Sequence, residues 1–298
     1  MSTATTAAQP YPARSAAATA DYWALTKPEI NVLIALVTFA GFYLGLPAER
    51  HGFPFPLLIH TLLGTVLVSS GASALNQFIE RRFDARMRRT ARRPLAAGKL
   101  EPASALRFGL LLSFAGAIYL ALAVNVLASL LAVITLASYL MLYTPLKRKT
   151  PWCTVAGAFS GAMPPLIGWA AASGGLSPEA WMLYLVLFLW QFPHFMAIAW
   201  MYRDDYARAG YLVLPRGEHD AQFMSWQAML PSLVLIPVSL IAGAGPAYRV
   251  LACIASAVYL YYSGRLALER SNCAAKRLLM VSIIYAPLAF CLMIFDKL

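Results

Sequence analysis

Charge is what this chain has least of. Only 12% of its 298 residues are Asp, Glu, Lys or Arg, against about 25% in an ordinary soluble domain. That excludes a globule with a polar shell. Acidic residues are the scarcer sign, 13 against 24 basic, so any carboxylate in apolar surroundings needs a reason. Cysteine is down to Cys153, Cys253, Cys273 and Cys291, scattered and without a C-x-x-C pair. This excludes a disulfide framework or a zinc site and leaves small apolar fillers. The first residues lack the charged start and apolar centre of a signal peptide, and Arg14 alone is too little arginine for a transit peptide. Residues 1–21, rich in Ala, Thr, Ser and Pro, read as a disordered tail ahead of one polytopic domain over 22–298.

Long apolar runs are what the chain has in plenty, with 60% hydrophobic residues. Crossing a bilayer takes about 20 such residues. Nine spans are expected, near 30–47, 57–79, 105–125, 127–143, 153–173, 180–201, 226–244, 248–268 and 277–295. The fold class is therefore an all-α membrane protein with nine transmembrane helices. A net charge of +11 would suit nucleic acid, but the cations sit in short loops between spans. Counting the N-terminal segment and alternate loops on one side collects 21 of the 24 basic residues, leaving Arg50, Arg249 and Lys297 on the other. This asymmetry puts the N-terminus in the cytoplasm and the C-terminus outside it, in the periplasm if the membrane is a bacterial inner membrane. Asn125 marks a tight reversal, and Pro164-Pro165 a kink or break in the fifth span.

The chemistry-bearing residues gather in two polar loops on the basic side, 80–104 and 202–225. Loops this long are usually functional or disordered, and these two are expected to roof an active site. Asn76, Glu80 and Asp84 stand four apart at the end of the second span. A helix turns about 100° per residue, so they share one face. Two carboxylates one turn apart repel. They make sense around Mg²⁺, which takes oxygen ligands from one or two carboxylates and from substrate phosphates. Seven arginines follow by Arg93, and Arg89 and Arg93 suit phosphate oxygens. The plainer alternative is a topogenic loop whose acids neutralise arginines. In the second loop, His194, Met201 and Asp205 share a face if the helix is continuous, and Asp204 with Asp205 forms a second acidic cluster. His194 reads as a base, a substrate contact, a haem-iron ligand or an interhelical polar residue. The acid pair reads as further metal ligands or as a helix cap. Lys147 in Lys147-Arg148-Lys149 is either a phosphate ligand or part of a membrane anchor. His60 reads as an interhelical hydrogen-bonding residue.

These motifs together carry a resemblance. Thr26-Lys27-Pro28, Asn76-Gln77 with Glu80, Met87-x-Arg89-Thr90-x-x-Arg93-Pro94-Leu95-x-x-Gly98, Tyr143-Thr144-Pro145-Leu146-Lys147-Arg148 and Trp190-Gln191-x-Pro193-His194-Phe195 with Asp205-Tyr206 resemble the protoheme IX farnesyltransferase branch of the intramembrane UbiA-type prenyltransferases. The resemblance implies nine helices around a central cavity open to the cytoplasmic side and to lipid. It implies farnesyl transfer from farnesyl diphosphate to the 2-vinyl group of haem b with addition of water, in the presence of Mg²⁺. Asn76, Glu80, Asp84 and His194 would be catalytic. Arg89, Arg93 and Lys147 would bind diphosphate, and Glu80, Asp84, Asp204 and Asp205 would hold metal. A haem A synthase or a terminal oxidase is the expected protein partner. The wider family's second signature carries several aspartates, whereas His194 and Tyr202 stand at two such places here. Competing readings are a relative acting on a quinone precursor and, from another class, an anion transporter.

Overall fold

The structure, a computed structural model, describes residues 16–47, 52–215, 219–243 and 245–297. Residues 1–15 of the expected tail lie outside this range, as do Arg14, Arg50 and Arg216. The last part of that tail, from Ala16, already belongs to helix α1 (Ala16–Leu25). After α1 come α2 (Pro28–Gly45), α3 (Phe55–Asp84), α4 (Pro102–Ala123) and α5 (Val126–Ala137). A π-helical turn, Ser138–Tyr143, and α6 (Thr144–Leu146) prolong α5. The fifth span is split into α7 (Cys153–Gly161) and α8 (Pro164–Ser173). It is followed by α9 (Pro178–Met201), α10 (Arg203–Ala209), α11 (His219–Ile241), α12 (Pro246–Glu269) and α13 (Asn272–Lys297).

Among the described residues nine stretches are long and apolar enough to cross a membrane, matching the expected spans in order. Prolines in the first turn open several of them, where the missing N–H costs nothing. Asn125 makes the expected reversal: its Oδ1 accepts from the Ala128 N–H at 2.8 Å and its amide donates to the Ala170 carbonyl at 2.8 Å. The Pro164-Pro165 break ends α7 and starts α8. It lets α2 approach closely, since a Cβ on Gly41 would collide with the Pro165 carbonyl and one on Gly168 with that of Thr38. Such contacts hold helices together where lipid provides no hydrophobic drive. His60 bonds across α3 and α4 to the Tyr119 hydroxyl at 2.6 Å, as expected.

Contacts between connections define two ends of the bundle. At one end Lys99 lies 4.0 Å from Asp21, Arg203 donates to Asn272 at 3.0 Å, and Leu212 N–H donates to the Lys147 carbonyl at 2.6 Å. At the other end Lys297 Nζ donates to the carbonyls of Tyr43, Leu44 and Leu46 at 2.7–2.9 Å. The described chain therefore enters at one end and leaves at the other, as an odd number of crossings requires. One expectation fails. Tyr202 leaves helical geometry (φ −111°, ψ 19°), ending α9 before α10 begins, so His194, Met201 and Asp205 do not share one continuous helical face.

Candidate active site

A cavity of about 470 Å³ opens inside the bundle toward the polar end. Asn76, Glu80, Asp84, Arg93 and Lys147 line it, as do Trp190 and His194. The rest of the lining is largely aliphatic and aromatic, with Ile34, Leu136, Tyr139 and Leu187 among the residues.

The acidic column sits on the last turns of α3, with Asn76, Glu80 and Asp84 all at or below 5% exposure. Each carboxylate meets a cation from elsewhere in the chain. Lys147 Nζ lies 2.8 Å from Glu80 Oε1, and Arg93 Nη1 lies 2.8 Å from Asp84 Oδ2. The Asn76 amide donates to Thr144 Oγ1 at 3.2 Å, and that hydroxyl donates to the Tyr139 carbonyl at 2.9 Å. This fixes which edge of the amide bears its oxygen. Thr144 follows the π turn, a local widening that recurs at functional sites. Lys147 lies just beyond α6, with its ammonium 4.4 Å from the centre of the Tyr143 ring. Burial works against its charge, but Tyr143 and Glu80 outweigh that penalty and raise its pKa, so it stays protonated.

The loop after α3 explains its own motif. Thr90 Oγ1 donates to the Asp84 carbonyl at 2.9 Å and caps the helix end. Arg93 turns back onto the Asp84 side chain. Leu95 packs with Leu25, Ala74 and Leu100, and Gly98 takes the left-handed conformation (φ +70°) that closes the turn. The two polar loops meet, as expected: Arg89 N–H donates to Asp205 Oδ2 at 3.2 Å, and Met87 packs with Ala209 and Tyr211.

Arg89 also lines the cavity, with its guanidinium over the Tyr202 ring at 5.1 Å. Asp204 and Asp205 differ in setting. Asp204 is exposed and faces a separate recess with Arg203 and Asp220. Asp205 is buried, with one oxygen on Arg208 and the other on the Arg89 N–H. Both oxygens of Asp205 are therefore engaged between the two loops. Lys27 was quoted in the sequence only as part of a pattern, yet it lines the cavity. It has φ 51°, ψ 66°, a region costly for a residue with a side chain. The corner is clamped by the Gln77 amide on the Leu25 carbonyl (3.1 Å) and by Asn31 on the Thr26 carbonyl (2.9 Å). Burial, then the neighbouring Arg93 and Lys147, lowers the Lys27 pKa to about 7.

The donor set fits a hard dication. No group of three or more His, Cys, Asp or Glu side chains that could hold a metal occurs among the described residues. Two carboxylates and an amide are what a cation sharing its coordination with phosphate oxygens requires. Asp84 Oδ1 is buried without a hydrogen-bond partner among the described residues, a vacancy that an oxygen-seeking ion would satisfy.

Charged groups around a largely apolar chamber, set in a bundle of membrane-spanning helices and roofed by two loops, define an integral membrane protein suited to molecules with an anionic head and a greasy body. The chain belongs to the UbiA prenyltransferase family, which matches residues 32–285, and it is a prenyltransferase. It is 47% identical over 287 residues to the protoheme IX farnesyltransferase of Solibacter usitatus, covering 93% of this chain and 98% of that protein. The Koribacter versatilis protein of the same name is 41% identical, with 93% of each chain covered. Among solved structures, a digeranylgeranylglyceryl phosphate synthase superposes with a TM-score of 0.74 at 18% identity, covering 94% of this chain and 99% of that one. A UbiA homologue from Archaeoglobus fulgidus bound to DMAPP and Mg²⁺ gives 0.67 at 14% identity, with 92% and 99% covered. These two likenesses establish the nine-span fold.

Proposed function

We propose that this prenyltransferase moves a farnesyl group from farnesyl diphosphate to the 2-vinyl group of haem b, with addition of water, giving haem O and diphosphate. The observation that carries the reading is the pairing of Glu80 with Lys147 and Asp84 with Arg93 on a largely apolar cavity that Trp190 and His194 also line. The names of the curated relatives support the choice of donor and acceptor.

The ion pairs explain how these charged groups rest without substrate. A carboxylate buried alone costs several kcal/mol, roughly 3–5 when its partner is removed. Cross-pairing keeps the four groups charged and mutually neutralised. With a diphosphate and Mg²⁺ bound, Lys147 and Arg93 would face phosphate oxygens, and Glu80 and Asp84 would hold the cation. Mg²⁺ held by Glu80 and Asp84 would offset the charge that grows on the leaving diphosphate. Asn76 orients a ligand or water beside them. Arg93, Lys147 and Lys27 stabilise the same developing charge from the protein side. Tyr139 and Tyr143 line the same cavity, where the allylic carbons would turn positive, and ring faces favour cations. The aliphatic wall keeps bulk water from the cation until the vinyl group reaches it. Arg89 adds a further cation to the same lining.

The ion pairs lie at the end where the basic loops gather. This supports a cytoplasmic N-terminus, a periplasmic C-terminus and placement in a bacterial inner membrane. A haem A synthase or a terminal oxidase would take up the product. The test is the pigment of membranes that express the chain. Haem O accumulates when haem b and farnesyl diphosphate are both supplied, and its absence under those conditions, with the protein present and folded, refutes the acceptor.

A further inference from the structure

His194 is a cavity residue that the diphosphate chemistry leaves without a task. Its ring is fixed on two sides. One face stacks on Trp190, with centroids 4.9 Å apart and planes at 27°. One edge points at Ser282, with Nδ1 2.8 Å from Oγ. The second bond of Ser282 decides which of these two atoms donates. Ser282 is fully buried on α13, and its Oγ stands 2.6 Å from the Leu279 carbonyl oxygen. A carbonyl can only accept, so the single hydroxyl proton lies on that contact. The Ser282 lone pair then faces His194, and Nδ1 must carry a proton. A neutral imidazole protonated on Nδ1 keeps its lone pair on Nε2. Ser282 is itself anchored, since the Trp190 indole N–H donates to its carbonyl at 2.8 Å and the Tyr259 hydroxyl donates to the Trp190 carbonyl at 2.8 Å.

We infer that Ser282 is a positioning residue that locks His194 in the Nδ1–H tautomer, so that Nε2 serves as an axial ligand to the iron of the acceptor. This rests on the reading that the acceptor is haem. An imidazole whose other nitrogen donates to an oxygen is held in orientation and made more basic, as metal-ligating histidines generally are. A porphyrin pinned by its iron at His194 has its edge fixed relative to the ion pairs, and fixed geometry is what attack on a short-lived cation needs. The aliphatic residues that share the cavity with His194, such as Ile34, Leu136 and Leu187, suit the flat apolar macrocycle.

The experiment titrates the purified full-length chain in detergent with haemin alone and reads optical, EPR and resonance Raman spectra. The wild type shows an imidazole-ligated iron and, after reduction, an iron–imidazole stretching band. His194→Ala loses both. Ser282→Thr, whose hydroxyl can make both bonds, matches the wild type. Ser282→Ala binds about tenfold more weakly, the lower range for loss of such a partner, and its band moves to lower frequency. A band unchanged in Ser282→Ala overturns the tautomer lock. Ligation unchanged in His194→Ala overturns the ligand assignment while haem remains the acceptor. A wild type that binds no haem and forms no haem O removes the acceptor reading, and this inference with it.

Discussion

Glu80 and Asp84 are buried acids in ion pairs, and their geometry sets what each substitution does. Arg93→Ala would remove the charge-assisted bond proposed to the diphosphate, worth about 1.5–3 kcal/mol. It is expected to raise KM for farnesyl diphosphate roughly tenfold to a hundredfold, and initial-rate kinetics check it; an unchanged KM and rate would contradict the assignment. Lys27 adds a pH dependence. Its pKa, lowered to about 7 by burial and by Arg93 and Lys147, means the ammonium is present below that pH and lost as pH rises through it. Diphosphate binding should therefore weaken between about pH 6 and about pH 9 in the wild type, below the range of an ordinary lysine. Lys27→Met should bind weakly throughout and lose that trend, as titration with farnesyl diphosphate would show. The acid column was legible in the sequence because spacing alone puts three residues on one helical face. Its cation partners were only partly so. The separation of 67 positions between Glu80 and Lys147 hides that contact, and nothing local marks Lys27 as strained. The surroundings of Asp204 and Asp205 were hidden for the same reason. Composition makes them an acidic cluster, but the break at Tyr202 turns one outward and ties the other to the loops.

The helices position these side chains through a few close approaches. Gly168 allows α8 to lie against α2 at the level of Thr38. Gly168→Val would force a side chain into backbone and is expected to cost about 3 kcal/mol, the upper range for overpacking. Thermal unfolding in detergent checks it, and an unchanged midpoint would refute the contact. Asn125→Ala removes a helix cap worth about 1 kcal/mol and the bond to Ala170 as well, so a smaller drop in the same assay is expected. Spans were legible because lipid demands long apolar runs. The π turn at Ser138–Tyr143 was not, because a local change of helical register leaves no periodic trace in a stretch apolar on every side.

At the level of the whole molecule, the charged connections of one end were legible as a group from their cations alone, and contacts such as Lys99 with Asp21 and Arg89 with Asp205 bear the grouping out. The opposite end is tied by Lys297 to α2. Reporter fusions should find the N-terminus and the C-terminus on opposite sides of the membrane, and a shared side would break the nine-span account. What joins the two loops into one roof was not legible, because it rests on single long-range bonds such as Leu212 to Lys147. The most direct measurement is haem O formation by the purified chain given haem b, farnesyl diphosphate and Mg²⁺, with wild type and Asp84→Asn side by side. The account predicts turnover in the wild type, abolished by a chelator, and a loss of about a hundredfold or more in the folded variant, on the scale of removing a group that stabilises transition-state charge. Equal turnover in the two proteins would contradict it.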